Sequence, residues 1–167
     1  MNCRDAIVAE IPRLRRYARA LAGQADAADD LVQDTLERAL DKWRFWQRDR
    51  DLRPWLFSIM HNLHVDGRRR DGRIEFCDDD ELPEPTHRAE QADALELRDL
   101  ERALMLLPLD QREVLLLVAL EELSYAEVAL ALAIPQGTVM SRLSRARSRL
   151  GAILAGETIP QLKVVSA

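Results

Sequence analysis

The residues best suited to chemistry lie near the end of the chain, between Gln136 and Leu150. Read as a helix, this stretch puts Val139, Leu143, Ala146 and Leu150 on one face. The opposite face carries Ser141, Ser144, Arg145 and Ser148, with Thr138 and Met140 toward its start and Arg142, Arg147 and Arg149 flanking it. No acid occurs between Glu127 and Glu157. An arginine can fork onto the acceptor edge of guanine, and short hydroxyl side chains reach phosphates or base edges without blocking approach. A solvated arginine-rich face near a helix C-terminus is the plain reading of the same residues. The missing acids and the short helix that precedes this one favour duplex DNA.

A second constellation sits in the first half. Arg68, Arg69, Arg70 and Arg73 follow a helix, and Trp43, Phe45, Trp46 and Trp55 lie upstream. Cations that track a backbone beside rings that stack bases make a single-strand site, whereas the plain reading is a helix terminus plus core packing. His61 and His64 are spaced i, i+3, but no third ligand lies close in sequence, so ordinary helix histidines are expected and no metal site. No phosphate-cradling loop and no nucleophile elbow is present. The expectation is therefore no catalytic residues, no cofactor and no enzymatic activity.

These residues need helices to position them, and the pattern supplies helices throughout. Ile7, Ile11, Leu14, Ala18 and Leu21 recur at helical spacing. A second helix is predicted from about Ala27 to Trp43, capped by Asp26, with Leu31, Val32, Leu36, Ala39 and Leu40 as its apolar face. After an Arg- and Asp-rich loop over 44–53, with Phe45 and Trp46 exposed, Pro54 marks a helix start. The stripe Trp55, Leu56, Ile59, Met60 and Leu63 follows. Downstream, Leu95 to Leu107 reads as one helix closed before Pro108. Asp110 with Glu113, and Ser124 with Glu127, both have capping-box spacing, each flanked by a staple pair. The Ser124 helix ends near Leu132, and Ala133-Ile134-Pro135 leads tightly into the last helix, which is a helix-turn-helix pattern.

Charge organises the same 167 residues into pieces. Taken alone, the formal net charge of -5 argues against a nucleic-acid partner. Residues 1–74 nevertheless carry +3 and residues 102–167 carry +1, while residues 75–101 carry -9. The acidic run Asp78-Asp79-Asp80-Glu81, followed by Pro83 and Pro85, reads as a linker too poor in apolar residues to order itself. It is either a solvated tether or an acidic segment that mimics nucleic acid in a cationic channel. No apolar run is long enough to span a bilayer, and the N-terminus lacks a secretory h-region, so a cytoplasmic location is expected. Two distant cysteines, Cys3 and Cys77, exclude a disulfide scaffold and a zinc-finger framework, and an aromatic content of 5% disfavours a β-sandwich. The predicted class is all-α: two small helical domains joined by a flexible acidic linker, the C-terminal one containing the helix-turn-helix. The boundaries fall at 1–74, 75–90, 91–155 and a tail over 156–167.

Taken together, the motifs resemble the extracytoplasmic-function (ECF) family of bacterial RNA polymerase sigma factors. The first half contributes Asp30-Leu31-Val32-Gln33-Asp34-Thr35, Arg53-Pro54-Trp55-Leu56 and Asn62-Leu63-x-Val65-Asp66. The second contributes Leu107-Pro108, Arg112-Glu113-Val114, Ser124-Tyr125-x-Glu127-Val128-Ala129 and Ile134-Pro135-x-Gly137-Thr138-Val139-x-Ser141-Arg142-Leu143-x-Arg145-Ala146-Arg147. The resemblance implies a promoter-specificity subunit with core RNA polymerase, promoter DNA and a probable antisigma factor as partners. It places the polymerase contact on Asp30, Leu31, Gln33, Asp34 and Thr35. It places recognition of the melted −10 element on Trp55, Asn62, Asp66, Arg68 and Arg69, where a base is flipped from the stack. Duplex −35 recognition falls on Thr138, Met140, Ser141, Arg142, Ser144, Arg145 and Arg147.

Three departures stand out. Met140 replaces a common cation, and Ala133 and Glu122 stand where glycine is usual. An alanine in a left-handed turn costs about 1 kcal/mol. Two other classes fit parts of the chain: a helix-turn-helix regulator that is no polymerase subunit, and a sigma-like decoy that binds an antisigma factor without reading DNA. The acceptor-rich Asp30–Thr35 helix disfavours the first, and the intact cationic helix disfavours the second.

Overall fold

The computed structural model describes residues 2–46, 51–72 and 92–156. They form α1 (Cys3–Ala22), α2 (Ala25–Lys42), a 3-10 turn (Trp43–Phe45), α3 (Leu52–Arg70), α4 (Ala92–Met105), α5 (Leu109–Ala119), α6 (Tyr125–Leu132) and α7 (Gln136–Leu154). No strand occurs among the described residues. The acidic linker expected over 75–90 and the tail beyond Gly156 lie outside them.

Periodic apolar residues explain the two helical domains. Leu14, Tyr17, Ala18 and Leu21 of α1 are buried against Leu31, Val32 and Ala39 of α2 and Leu56, Phe57 and Met60 of α3. Tyr17 and Phe57 meet edge-to-face with centroids 4.9 Å apart, a geometry aromatic pairs favour. In the second domain, Val114 to Leu117, Val128, Leu132, Val139, Leu143 and Ala146 close α5, α6 and α7 around a common core. α6 and α7 form the expected helix-turn-helix.

The sequence reading treats the domains as separate, but the structure joins them. α3 lies against α6, α1 against α5, and the buried residues of both halves form one continuous core. Polar contacts stitch the seam. Arg16 donates to the Glu121 carboxylate from Nε (3.1 Å) and Nη2 (3.0 Å), and Nη2 also donates to the Leu120 carbonyl at 3.0 Å. His61 Nδ1 lies 2.7 Å from Glu113 Oε1. Arg112, almost fully buried, donates to the carbonyls of Leu21 (2.8 Å), Met105 (3.1 Å) and Leu107 (3.0 Å). At Gly23, where α1 ends with φ 73°, an added Cβ would fall 2.7 Å from Met105 Sδ.

Several local expectations are corrected by this packing. Glu113 makes no capping box with Asp110: α5 begins after Pro108 without a side-chain cap, and the Glu113 carboxylate turns across the domain seam to His61. Asp26 is not the cap of α2, which starts one residue earlier at Ala25, after Gln24. The third helix starts at Leu52, so Pro54 sits within its first turn, and α4 occupies Ala92–Met105 instead of 95–107. Leu40, assigned to the core face, is exposed, and Trp46, expected exposed, is half-buried. The Ser124–Glu127 box does form, with Glu127 N donating to Ser124 Oγ at 3.2 Å and Ser124 N donating to Glu127 Oε2 at 2.7 Å.

Among the described residues, the two non-glycine residues with left-handed backbone are the two that replace glycine. Glu122 has φ 56°, and Ala133, which closes α6, has φ 53° and ψ 46°. A Cβ there crowds the following carbonyl. Replacing either with glycine is expected to raise stability by about 0.5–1 kcal/mol after the entropy of the unfolded glycine is counted, read as a higher urea midpoint at unchanged slope.

His64 shows a second consequence of the packing. Its Nε2 is buried without a hydrogen-bond partner. Burial, then the nearby charges of Arg68 and Arg112, push its pKa down to about 4. The native ring therefore stays neutral where an unfolded histidine titrates near 6.5. The unfolded state binds the extra proton, so stability falls as pH drops from about 6.5 to about 4 and this contribution then levels off. The expected result for His64→Gln is a flatter stability profile across that window, measured by denaturant unfolding at stepped pH.

Candidate nucleic-acid interface

α7 earns its orientation from its apolar stripe. With Val139, Leu143 and Ala146 buried, Met140, Ser141, Ser144, Arg145, Arg147 and Ser148 are left exposed on the far side, and Thr138 is half-exposed. The left-handed Ala133 turn and Pro135, which precedes the helix, set the corner between α6 and α7. Ser141 Oγ donates back to the Thr138 carbonyl at 3.1 Å, which holds one hydroxyl of the face in place. A shallow groove of about 370 Å³ runs along the face, lined by Tyr125, Met140, Leu143, Ser144, Arg147 and Ser148. Its lining mixes apolar, hydroxyl and cationic side chains, which can take a thymine methyl and phosphates.

Arg142 is drawn out of this set. Its Nε lies 3.4 Å from Asp110 Oδ2 in the first turn of α5, and its side chain is half-buried. The structure thus brings Thr138, Met140, Ser141, Ser144, Arg145 and Arg147 onto one surface and commits Arg142 to the domain that carries it. Nothing in a helical wheel distinguishes Arg142 from its neighbours, because the acid that holds it lies 32 residues upstream.

The first domain separates its candidates in the same way. Asp30, Gln33 and Asp34 are exposed on α2, with Gln33 Nε2 donating to Glu37 Oε1 at 3.2 Å. Leu31 and Thr35, expected to join them, point inward: Leu31 is in the core, and Thr35 is 0% exposed with Oγ1 donating to the Leu31 carbonyl at 2.7 Å. They support the face from beneath. The exposed acceptors suit arginine and lysine on a partner.

On α3, Asn62, Asp66 and Arg69 are exposed and Arg68 is half-buried. Trp55 is half-buried beside the other two tryptophans, its ring centroid 6.4 Å from those of both Trp43 and Trp46, which themselves lie 4.8 Å apart. Phe45 stands outside this three-ring cluster, 76% exposed. Of Phe45 and Trp46, both expected exposed from the sequence, the structure exposes the first and half-buries the second. Arg73, Cys77 and residues 47–50 of the loop lie outside the described residues.

No group of His, Cys, Asp or Glu able to hold a metal ion occurs among the described residues. His61 and His64 do not converge on a ligand site: the former faces Glu113 and the latter is half-buried with its Nε2 out of contact with solvent. No described helix is long and apolar enough to cross a membrane.

Comparison with known proteins places both halves. Residues 7–61 match the family model described as the Sigma2 domain of PhyR, and residues 90–150 match the model of Sigma-70, region 4. The chain is 42% identical over 154 residues to the ECF RNA polymerase sigma factor EcfG of Rhodopseudomonas palustris, covering 92% of this chain and 85% of that protein. Among solved structures, the sigma factor RpoE of Bartonella quintana, in complex with the anti-sigma factor NepR, superposes with a TM-score of 0.76 at 33% identity, covering 93% of this chain and 98% of that one. The anti-anti-sigma factor PhyR of Bartonella quintana, complexed with NepR, shares the fold at 17% identity and a TM-score of 0.61, covering 89% of this chain and 49% of that one. With a relative this similar along nearly its whole length, and with both halves matched in order, the chain belongs to the ECF family of RNA polymerase sigma factors.

Proposed function

We propose that this sigma factor divides its work between two surfaces of opposite character. The N-terminal part, residues 1–74, engages core RNA polymerase through Asp30, Gln33 and Asp34 and the melted −10 strand through Asn62, Asp66, Arg68 and Arg69. Residues 91–155 read the duplex −35 element through Thr138, Met140, Ser141, Ser144, Arg145 and Arg147. Residues 75–90 connect the two, and 156–167 form a tail. The observation that carries this reading is that one chain presents an exposed acceptor face on α2 and an exposed cationic, hydroxyl-bearing face on a helix-turn-helix. A site that binds only duplex DNA has no use for the first, and a protein-only adaptor has none for the second.

In this reading the chain has no reaction of its own and acts in the cytoplasm, where polymerase and promoter are. The RpoE relative is solved with an anti-sigma factor, which supports a similar inhibitory partner here. The match to a PhyR domain supports one other reading, a decoy that occupies an anti-sigma factor. The exposed Ser144, Arg145 and Arg147 favour DNA binding over the decoy. Run-off transcription with core polymerase decides: transcripts dependent on this chain establish the sigma factor, and binding to an anti-sigma factor without transcripts establishes the decoy.

Two substitutions test the surfaces separately. Reversing charge with Asp30→Lys and Asp34→Lys together is expected to weaken core-polymerase binding at least tenfold, measured by competition for core, because like charges then meet. The unfolding midpoint should barely move, since both residues are exposed. Arg145→Ala is expected to cost about 1–3 kcal/mol in −35 duplex affinity. Arg142→Ala should cost less than about 1 kcal/mol, because its partner is Asp110. Titrating labelled −35 duplex with both variants reads the difference.

A further inference from the structure

We propose that Met140 makes the −35 surface select one base by the methyl group on C5 of a pyrimidine, and that this base is thymine. The inference deepens the sigma-factor reading above and rests on it. Its first support is the chemistry of the side chain. Met140 stands in place of a common cation, on the outer side of α7, and is 54% exposed. Its thioether has no N–H or O–H to donate and is a weak acceptor. It cannot fork onto guanine as arginine does, or onto adenine as asparagine and glutamine do. Cytosine is read by a carboxylate that accepts from its N4, and α7 carries no carboxylate. The thymine methyl is the apolar feature that distinguishes base pairs in the major groove, and it is the feature an exposed thioether can match.

Placement brings Met140 to a base edge. α7 begins at Gln136, so Met140 lies near the end of the helix that meets bases in a helix-turn-helix. Ser144 and Arg147, four and seven residues further on, share its side of the helix. At 1.5 Å per residue, Arg147 stands about 10 Å beyond Met140. That offset lets the guanidinium meet a flanking phosphate while the thioether meets a base. All three side chains border one groove.

Packing around the groove gives the methyl apolar neighbours. Leu143 and Tyr125 line it beside Met140. Leu143 is buried and Tyr125 is half-buried against the core, so both are held in place before DNA arrives. Met140 is unbranched and polarizable, and it adapts its shape to the group it covers. Moving one methyl from water into such surroundings raises affinity about fourfold. Thymine and 5-methylcytosine both carry that methyl. Thymine is the occupant, because 5-methylcytosine keeps the N4 donor for which α7 has no carboxylate.

The test selects bound duplexes from a random-sequence pool, using the full chain both alone and assembled with core polymerase. Each thymine of the selected −35 element is then replaced singly by deoxyuridine, which removes the methyl and nothing else. At one position this should weaken binding about fourfold. Met140→Ala should bind the thymine and deoxyuridine duplexes equally, and Met140→Leu should keep the preference. Arg145→Ala should weaken both duplexes and leave their ratio unchanged. At the same position 5-methylcytosine should bind better than cytosine and less well than thymine. The proposal is overturned if no thymine is sensitive to loss of its methyl, if the ratio persists in Met140→Ala, or if 5-methylcytosine is no better than cytosine. Tighter binding of 5-methylcytosine than of thymine keeps the methyl subsite and overturns thymine as its occupant. If the chain never joins core polymerase yet shows the methyl dependence alone, the sigma-factor reading fails and the subsite stands. If the holoenzyme selects duplexes without methyl dependence, the subsite fails and the sigma-factor reading stands. Retention of no duplex by either form overturns both.

Discussion

One buried guanidinium sets the frame of this molecule. α1 and α4 end side by side, and helix ends carry carbonyls without intrahelical partners and a partial negative charge. Arg112, from the first turns of α5, supplies the donors: Nη1 to Leu21 at the end of α1, and Nη2 to Met105 and Leu107 at the end of α4. Burial pushes its pKa down to about 10, with Arg68 adding to the drop, so the cation remains charged at neutral pH. An apolar residue there would strand three carbonyls, and a lysine could not fork to two helix ends at once. Tyr17 packs in the same neighbourhood, its hydroxyl raised in pKa by burial first and by Glu113 and Glu121 after that.

From that anchor the register of the seam follows. With α5 held at its start, Glu113 reaches His61 on α3, and beyond the far end of the helix Glu121 reaches Arg16 on α1. Gly23 allows Met105 to come close, since a side chain on that residue would collide with the thioether. Glu113 of α5 and Glu121 of its following loop thus face basic groups of the first domain, and the exposed acids of α2 are left for solvent or a partner. The same division holds on α7, where Asp110 takes Arg142 and leaves Arg145 and Arg147 exposed.

Much of this was legible in the residues. The apolar stripe of α7, its opposite polar face and the Ser124–Glu127 box are all local, repeating over three or four positions, and each was found where the pattern put it. Ala133 and Glu122, read as glycine replacements, both have left-handed backbone. Local patterns also misled. Asp110 and Glu113 have the spacing of a capping box, but an i, i+3 pattern cannot show that a histidine from another domain competes for the carboxylate. Leu31 is already legible as part of the apolar face of its helix, but Thr35 stands in the same motif as Asp30 and Asp34, and only the helix phase against α1 and α3 shows it buried.

The sequence by itself determined the all-α class, the helix-turn-helix and the cationic face of its last helix, because backbone hydrogen bonding and amphipathic period act within a few residues of their cause. Tertiary structure alone decided which charges remain available. The pairs His61–Glu113, Leu21–Arg112 and Arg16–Glu121 are separated by 52, 91 and 105 residues. Contacts at such separations leave no periodic trace, and they form only when two apolar faces bring their flanking polar groups out of water together.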